Sequence, residues 1–173
     1  ETEGACEMVA LGDVCEFKKG TALAKSDYKN GNIPVVGGGK APIGFHDIAN
    51  MGASAIVCSA SGNSAGHISR YPSPIWALDG RYCFIVRTRM NATRLTDQLL
   101  FFSLVAFQDK IYALQQGSAQ PHVNPDDLET FKIPVPKTPE LLEHWTERVG
   151  APYDAKHAAE RRIAEVEATV QAM

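Results

Sequence analysis

From residue 33 to residue 87 the apolar runs are four to seven residues long, and the glycines and prolines between them forbid helices. Ile33–Val36 is cut off by Gly37-Gly38-Gly39, and Pro34 places it at the start of a strand or at a sheet edge. Ala53–Ser59, with its β-branched centre and Gly/Ser flanks, reads as a buried strand. His67–Tyr71 and Tyr82–Arg87 read as two more. Upstream, Met8–Phe17 is a short apolar strand or turn closed by Lys18-Lys19-Gly20, and residues 25–32 are a polar loop.

After residue 95 the pattern changes to a helical period. Thr96 or Asp97 caps a helix running to Tyr112, with Leu100, Leu104, Phe107 and Ile111 on one face, and Leu99, Phe101 and Val105 widening it. Gln115–His122 is polar and flexible, Asn124–Leu128 starts a helix or turn, and Phe131–Val135 is a last short strand. Pro139–Val149 begins a second helix with proline in its first turn, and Gly150-Ala151-Pro152 interrupts or kinks it. In the final stretch Ala159, Ile163, Val166, Val170 and Met173 form a seam with 4, 3, 4, 3 spacing. A helix of about two heptads needs a partner along such a seam, either another helix or its own domain. The expected fold is α+β: a compact mixed sheet with packed helices at 1–137, followed by a C-terminal coiled-coil-forming helix at 138–173.

At 45% hydrophobic over 173 residues the chain can build a real core. No apolar run approaches the ~20 residues of a membrane helix, and Glu1, Glu3 and Glu7 replace the basic start of a secretory signal. The first residue is not Met, so a piece of something longer is expected. Cys6, Cys15, Cys58 and Cys83 form no C-x-x-C pair and have no histidine at zinc-finger spacing, which fits reduced cysteines in the cytoplasm and no metal site. The net charge of −3 hides a segregation. Phe17–Arg94 holds ten basic and three acidic residues, a local +7, while Thr138–Met173 holds four and seven, a local −3. The first half therefore asks for an anionic partner.

Catalytic patterns are weak. Gly62-Asn63-Ser64-Ala65-Gly66 matches the G-x-S-x-G elbow of hydrolases, but the sequel His67–Pro72 is no helix, so the serine lacks its oxyanion donors; nothing places Asp79 or His122 as its partners. Gly37-Gly38-Gly39-Lys40 fails as a phosphate loop because Ala41 stands where Ser or Thr is needed. The histidines are isolated, and the acids, paired only as Asp126-Asp127 and otherwise scattered, show no H-E-x-x-H or comparable spacing. What remains is a set of small, polar loops: Lys18–Thr21, Gly37–Lys40, Ser59–Ser69 and Gln115–His122. Their glycines admit a close ligand, and their Ser, Asn and Gln side chains can bond base edges or phosphates. On a basic half-domain they suit DNA better than a small molecule, which wants a mostly apolar pocket.

Read together, Leu11-Gly12-Asp13-Val14 with Lys19-Gly20, Gly31–Val36, Ile56–Ile68, Gln116–Pro121 leading to Leu128, and Phe131–Pro136 before a helix resemble the target-recognition domain of type I restriction–modification DNA specificity subunits. The order and spacing of these pieces, from about Val9 onward, carry the resemblance. It implies a domain that reads one half of a double-stranded DNA target, with a spacer helix after it and no catalysis or cofactor of its own. Such a subunit guides a methyltransferase that uses S-adenosylmethionine to methylate adenine, and an ATP-dependent restriction and translocation subunit. The chain departs from the family in carrying one recognition domain and one helix instead of two of each. It also lacks the family's usual glutamine in the helix after the final proline strand. These departures imply a half-subunit that dimerises through the seam, or the recognition domain of a larger fused methyltransferase. A protein-interaction module is the further alternative.

Carried onto this sequence, the resemblance assigns Lys18, Lys19, Lys40 and Arg70 to phosphates. Ser61, Asn63, Ser64 and His67, with Gln116, Ser118, Gln120 and His122, are assigned to positions near the bases.

Overall fold

In the computed structural model the described residues are 4–171, apart from the side chains at 157, 160, 161, 164 and 168. The chain starts with strand β1 (Cys6–Ala10), passes through the single helical turn α1 (Leu11–Val14), and enters strand β2 (Cys15–Lys19). Sequence reading merges these three elements into one. The turn exists because Leu11 is fully buried and its N–H reaches the Phe131 carbonyl at 2.9 Å, which a continuous strand would not allow.

A four-stranded antiparallel sheet forms the centre, in the order β2, β8 (Cys83–Thr88), β5 (Ala55–Ser59), β6 (Ile68–Tyr71). Both its faces are covered. Alternate residues Ile56, Cys58, Phe84 and Val86 enter the main core, while Val57, Cys83 and Ile85 enter a second, smaller core. That double burial explains why these strands are apolar throughout instead of alternating with polar residues. The second core lies against a small sheet of β4 (Gly44–His46), β3 (Ile33–Val36) and β7 (Trp76–Ala77). β3 is central there, but its pairing with β7 begins at Val35, so Pro34, near the start of the strand, has β4 as its single neighbour. Gly20, just past β2, lies so close to the Ala77 and Leu78 carbonyls that any side chain would collide with backbone. Burial pushes the thiols of Cys15 and Cys83 up to about 12 and that of Cys58 higher still, so these three are protonated packing residues.

The main core is closed by α2 (Asp97–Ala106), capped by Thr96, whose hydroxyl accepts from the Leu99 N–H at 3.2 Å. The helix expected to reach Tyr112 breaks at Phe107 and resumes as α3 (Gln108–Tyr112). Two tertiary interactions make the break. The Phe107 ring packs edge-on against Phe131, and the Gln108 amide donates to the Gly66 carbonyl (2.8 Å) while accepting from the Ile68 N–H (2.9 Å). A short helix α4 (Pro125–Glu129) follows with a reciprocal Asn124–Asp127 capping box, and β9 (Lys132–Pro136) pairs antiparallel with β1.

The last helix, α5 (Pro139–Gln171), is continuous. The expected interruption at Gly150-Ala151-Pro152 is corrected: Pro152 lies inside the helix. Proline costs a helix interior about 3 kcal/mol, but packing on both sides of it outweighs that cost. Leu142, Trp145 and Tyr153 pack against the main core, and the Tyr153 ring meets Phe101 and Phe102 at centroid distances of 5.2 and 4.9 Å. Farther along, Ala159, Ile163, Val166 and Val170 of the seam are exposed, while Met173 lies outside the described residues. No helix among the described residues is long and apolar enough to cross a membrane.

Candidate nucleic-acid interface

Three of the polar loops meet at one end of the central sheet. Past Ser59, β5 leaves the ladder, and its hydrogen bonds pass to the neighbouring loops. The Ser59 hydroxyl donates to the Gly38 carbonyl (2.5 Å), the Ala60 N–H to Tyr82 (2.8 Å), and the Gly62 N–H to Pro121 (2.9 Å). Ser61 and Gln116 each form an isolated bridge with His122. Loop 59–67 is thus held between Gly37–Lys40 on one side and Gln116–His122 on the other. The segment expected to be flexible is tied down at both ends by the paired Gln116 and His122 backbones.

Gly62 (φ +81°) and Gly66 (φ +84°) supply the left-handed positions that fold loop 62–66 back on itself. Gly66 also sits directly on Ile111 of α3, which leaves no slack for a side chain. The chain then runs straight into β6, giving strand–turn–strand. A nucleophile elbow requires strand–turn–helix, so the Ser64 motif lacks that support. Asp79, considered as a partner for that serine, instead gives both carboxylate oxygens to Arg81.

On this end Asn63, Ser118, Gln120 and Lys40 are exposed, and Ser61, Ser64, His67 and His122 are half-buried. The Lys40 ammonium lies 6.0 Å from the centre of the Tyr112 ring, and the Tyr112 hydroxyl is 2.9 Å from His67 Nδ1. Burial, with the nearby Lys40 charge, lowers the His67 pKa below its ordinary value, so the imidazole is neutral at pH 7. Gln116 is less available than its neighbours, because its amide donates to Asp127 at 2.8 Å and braces the loop.

The other cations are distributed differently. The Lys19 stem packs over Gly80, beside the Asp79–Tyr82 turn, while its neighbour Lys18 faces a separate cleft with Asn50, Arg87 and Asp97, since successive strand residues point to opposite faces. Arg70 does not join the cluster either; its guanidinium lies over the rings of Phe101 and Tyr153, at 5.3 and 5.9 Å. Sequence reading missed Tyr112, whose position at the end of α3 is set by the unforeseen break at Phe107. Among the described residues no group of His, Cys, Asp or Glu could hold a metal ion. The arrangement offers ammonium, amide, hydroxyl and imidazole groups on an open surface, which suits hydrogen bonding to an extended polar ligand.

Three solved structures share this fold. The S subunit of a type I restriction–modification system from M. genitalium superposes with a TM-score of 0.75 at 18% identity, over 84% of this chain and 38% of its own. A structure described as showing complex assembly and conformational transition of the type I R-M system gives 0.65 at 19% identity, over 97% and 43%. The HsdS subunit from Thermoanaerobacter tengcongensis gives 0.57 at 16% identity, over 92% and 41%. The chain thus spans about two fifths of the length of each. The architecture is the α+β recognition fold seen in those subunits. The family model for the type I restriction modification DNA specificity domain matches residues 4–146, and the chain belongs to that family. No curated protein matches it.

Proposed function

We propose that residues 1–137 read part of a double-stranded DNA target through the loop cluster, and that residues 138–173 form a helical spacer. The observation that carries this reading is the hydrogen-bonded convergence of loops Gly37–Lys40, 59–67 and Gln116–His122 at one end of the sheet, with Lys40, Asn63, Ser118 and Gln120 exposed there. Lys40 and Lys19 serve phosphates. Asn63, Ser64, His67, Ser118 and Gln120 reach toward base edges, with Ser61, Gln116 and His122 shaping the loops beneath them. Arg70 and Lys18 contribute at most to the outer phosphate track. The chain has no catalysis of its own. It works in the cytoplasm by directing an adenine methyltransferase, as a separate subunit or a fused domain, and a restriction subunit to the target. The exposed seam from Ala159 to Val170 supports pairing with a second helix, in a second copy or elsewhere in the parent protein.

The test is selection of duplexes from a randomised pool by the intact parent protein, with binding measured against salt. A defined target should emerge, and Lys40→Ala should weaken binding to every sequence alike while lowering the salt slope by about 1. Gln120→Ala or Asn63→Ala should relax one base position at a cost of about 1–3 kcal/mol. Binding that ignores sequence and salt alike overturns the reading.

A further inference from the structure

We propose that Arg81 reads a guanine in the target and that Asp79 is the residue that aims it; the inference rests on the DNA-reading function above and names one base contact within it. The turn between β7 and β8 carries both residues. Asp79 Oδ1 accepts from the Arg81 backbone N–H and from Nε, and Oδ2 accepts from Nη2, all at 3.0 Å. A guanidinium has five N–H donors in a fixed fork. The carboxylate takes the side-on pair, Nε–H and one Nη2–H. The end-on pair, one hydrogen on each terminal nitrogen, is left pointing outward from a side chain that is 76% exposed. Two parallel donors on one edge match the O6 and N7 acceptors that guanine shows in the major groove.

The turn does not need this ion pair for its own sake. It is already closed by the Tyr82 and Cys83 N–H groups on the Asp79 carbonyl, at 2.9 and 3.3 Å, and exposed pairs of this kind contribute little stability. What the clamp does is hold the guanidinium plane, with the Tyr82 ring 5.6 Å from its central carbon. The plane is held in the right place: the Tyr82 carbonyl accepts from Ala60, and Gly38 packs against both Ser61 and Tyr82, so Arg81 stands at the edge of the loop cluster. A phosphate contact would not call for the clamp. The Asp79 charge weakens attraction to an anion but leaves the directional hydrogen bonds to a neutral base intact.

The experiment is the same duplex selection with the intact protein and three variants, Arg81→Ala, Arg81→Lys and Asp79→Asn. Wild type should fix guanine at one position that becomes degenerate in Arg81→Ala and is relaxed in Arg81→Lys, whose ammonium lacks the fixed fork, while all other positions persist, and Asp79→Asn should relax that position part of the way. Placing 7-deazaguanine there should lower wild-type affinity about tenfold and leave Arg81→Ala unaffected, since it removes the N7 acceptor. Unchanged thermal melts would show that the variants fold. If Arg81→Ala weakens all sequences equally with every position retained, Arg81 serves a phosphate and the proposal is overturned; an unchanged target overturns it too. Failure of wild type to select any sequence would instead overturn DNA reading as a whole, and this inference with it.

Discussion

Helices α2 and α5 both carry many apolar side chains, and the structure treats them in opposite ways. α2 buries six consecutive residues, Leu99 to Leu104, because the central sheet, β9 and α5 enclose it. Such a helix is apolar all round and belongs wholly to its own chain. α5 packs on the body along one face of its first half, through Leu142, Trp145 and Tyr153, and then leaves it; Ile163, Val166 and Val170 are 59%, 61% and 64% exposed. Its apolar residues form a narrow seam bordered by charges. The contrast teaches that apolar content alone does not tell an interior helix from one that leaves the body, whereas the width of the apolar face does.

That contrast can be broken or sharpened by three measurements. The largest effect is expected at Leu104, fully buried in α2: Leu104→Ala should cost about 2–5 kcal/mol in a denaturant titration, and a near-neutral result would mean that α2 is not the enclosed member of the pair. A smaller stability change, within about 0.5 kcal/mol, is expected for the double variant Ile163→Asp with Val166→Asp. If the proposed pairing joins two copies, light scattering should nevertheless show that assembly disappear. A large loss of melting temperature in that variant would place the seam inside the fold of its own chain and erase the distinction. The smallest effect concerns the rim, where α3 carries Tyr112 up to His67. The folded-state pKa of His67 lies below its unfolded value, so the unfolded chain takes the proton first. Stability should therefore decline as pH falls through about 6.5 and level off below the folded value, and His67→Gln should flatten that decline. An identical acid profile in the variant would show that His67 is as free in the folded chain as in the unfolded one.

Much of the architecture is legible in local pattern. The strands around Val35, Val57 and Ile85, the Thr96 cap and the Asn124–Asp127 start all follow from short-range chemistry, and glycine content marks the loops that converge. The misread features depend on distant partners. Phe107 breaks a helix because Gln108 is bonded to residues some 40 positions earlier, and α5 continues through Pro152 because Tyr153 packs on α2. Leu11 needs a turn because Phe131 is waiting for it. The same holds for the site. Lys18 and Lys19 are adjacent letters on opposite faces of a strand, and the Arg70 guanidinium lies over the Phe101 and Tyr153 rings, an arrangement no local pattern announces. Arg81 escaped notice because Asp-Gly-Arg reads as an ordinary turn, and only the atomic positions reveal that the carboxylate occupies one edge of the guanidinium and spares the other.

The anchoring of Tyr153 has a mechanical consequence. Eighteen helical residues extend from it to Gln171, an arm of roughly 27 Å at 1.5 Å per residue. A tilt of about 10° at the aromatic fulcrum would sweep the far end through about 5 Å, more than the 3.4 Å rise of one base pair. For the spacer proposed above, the firmness of one tyrosine against two phenylalanines would set how sharply a ruler of this length counts nucleotides.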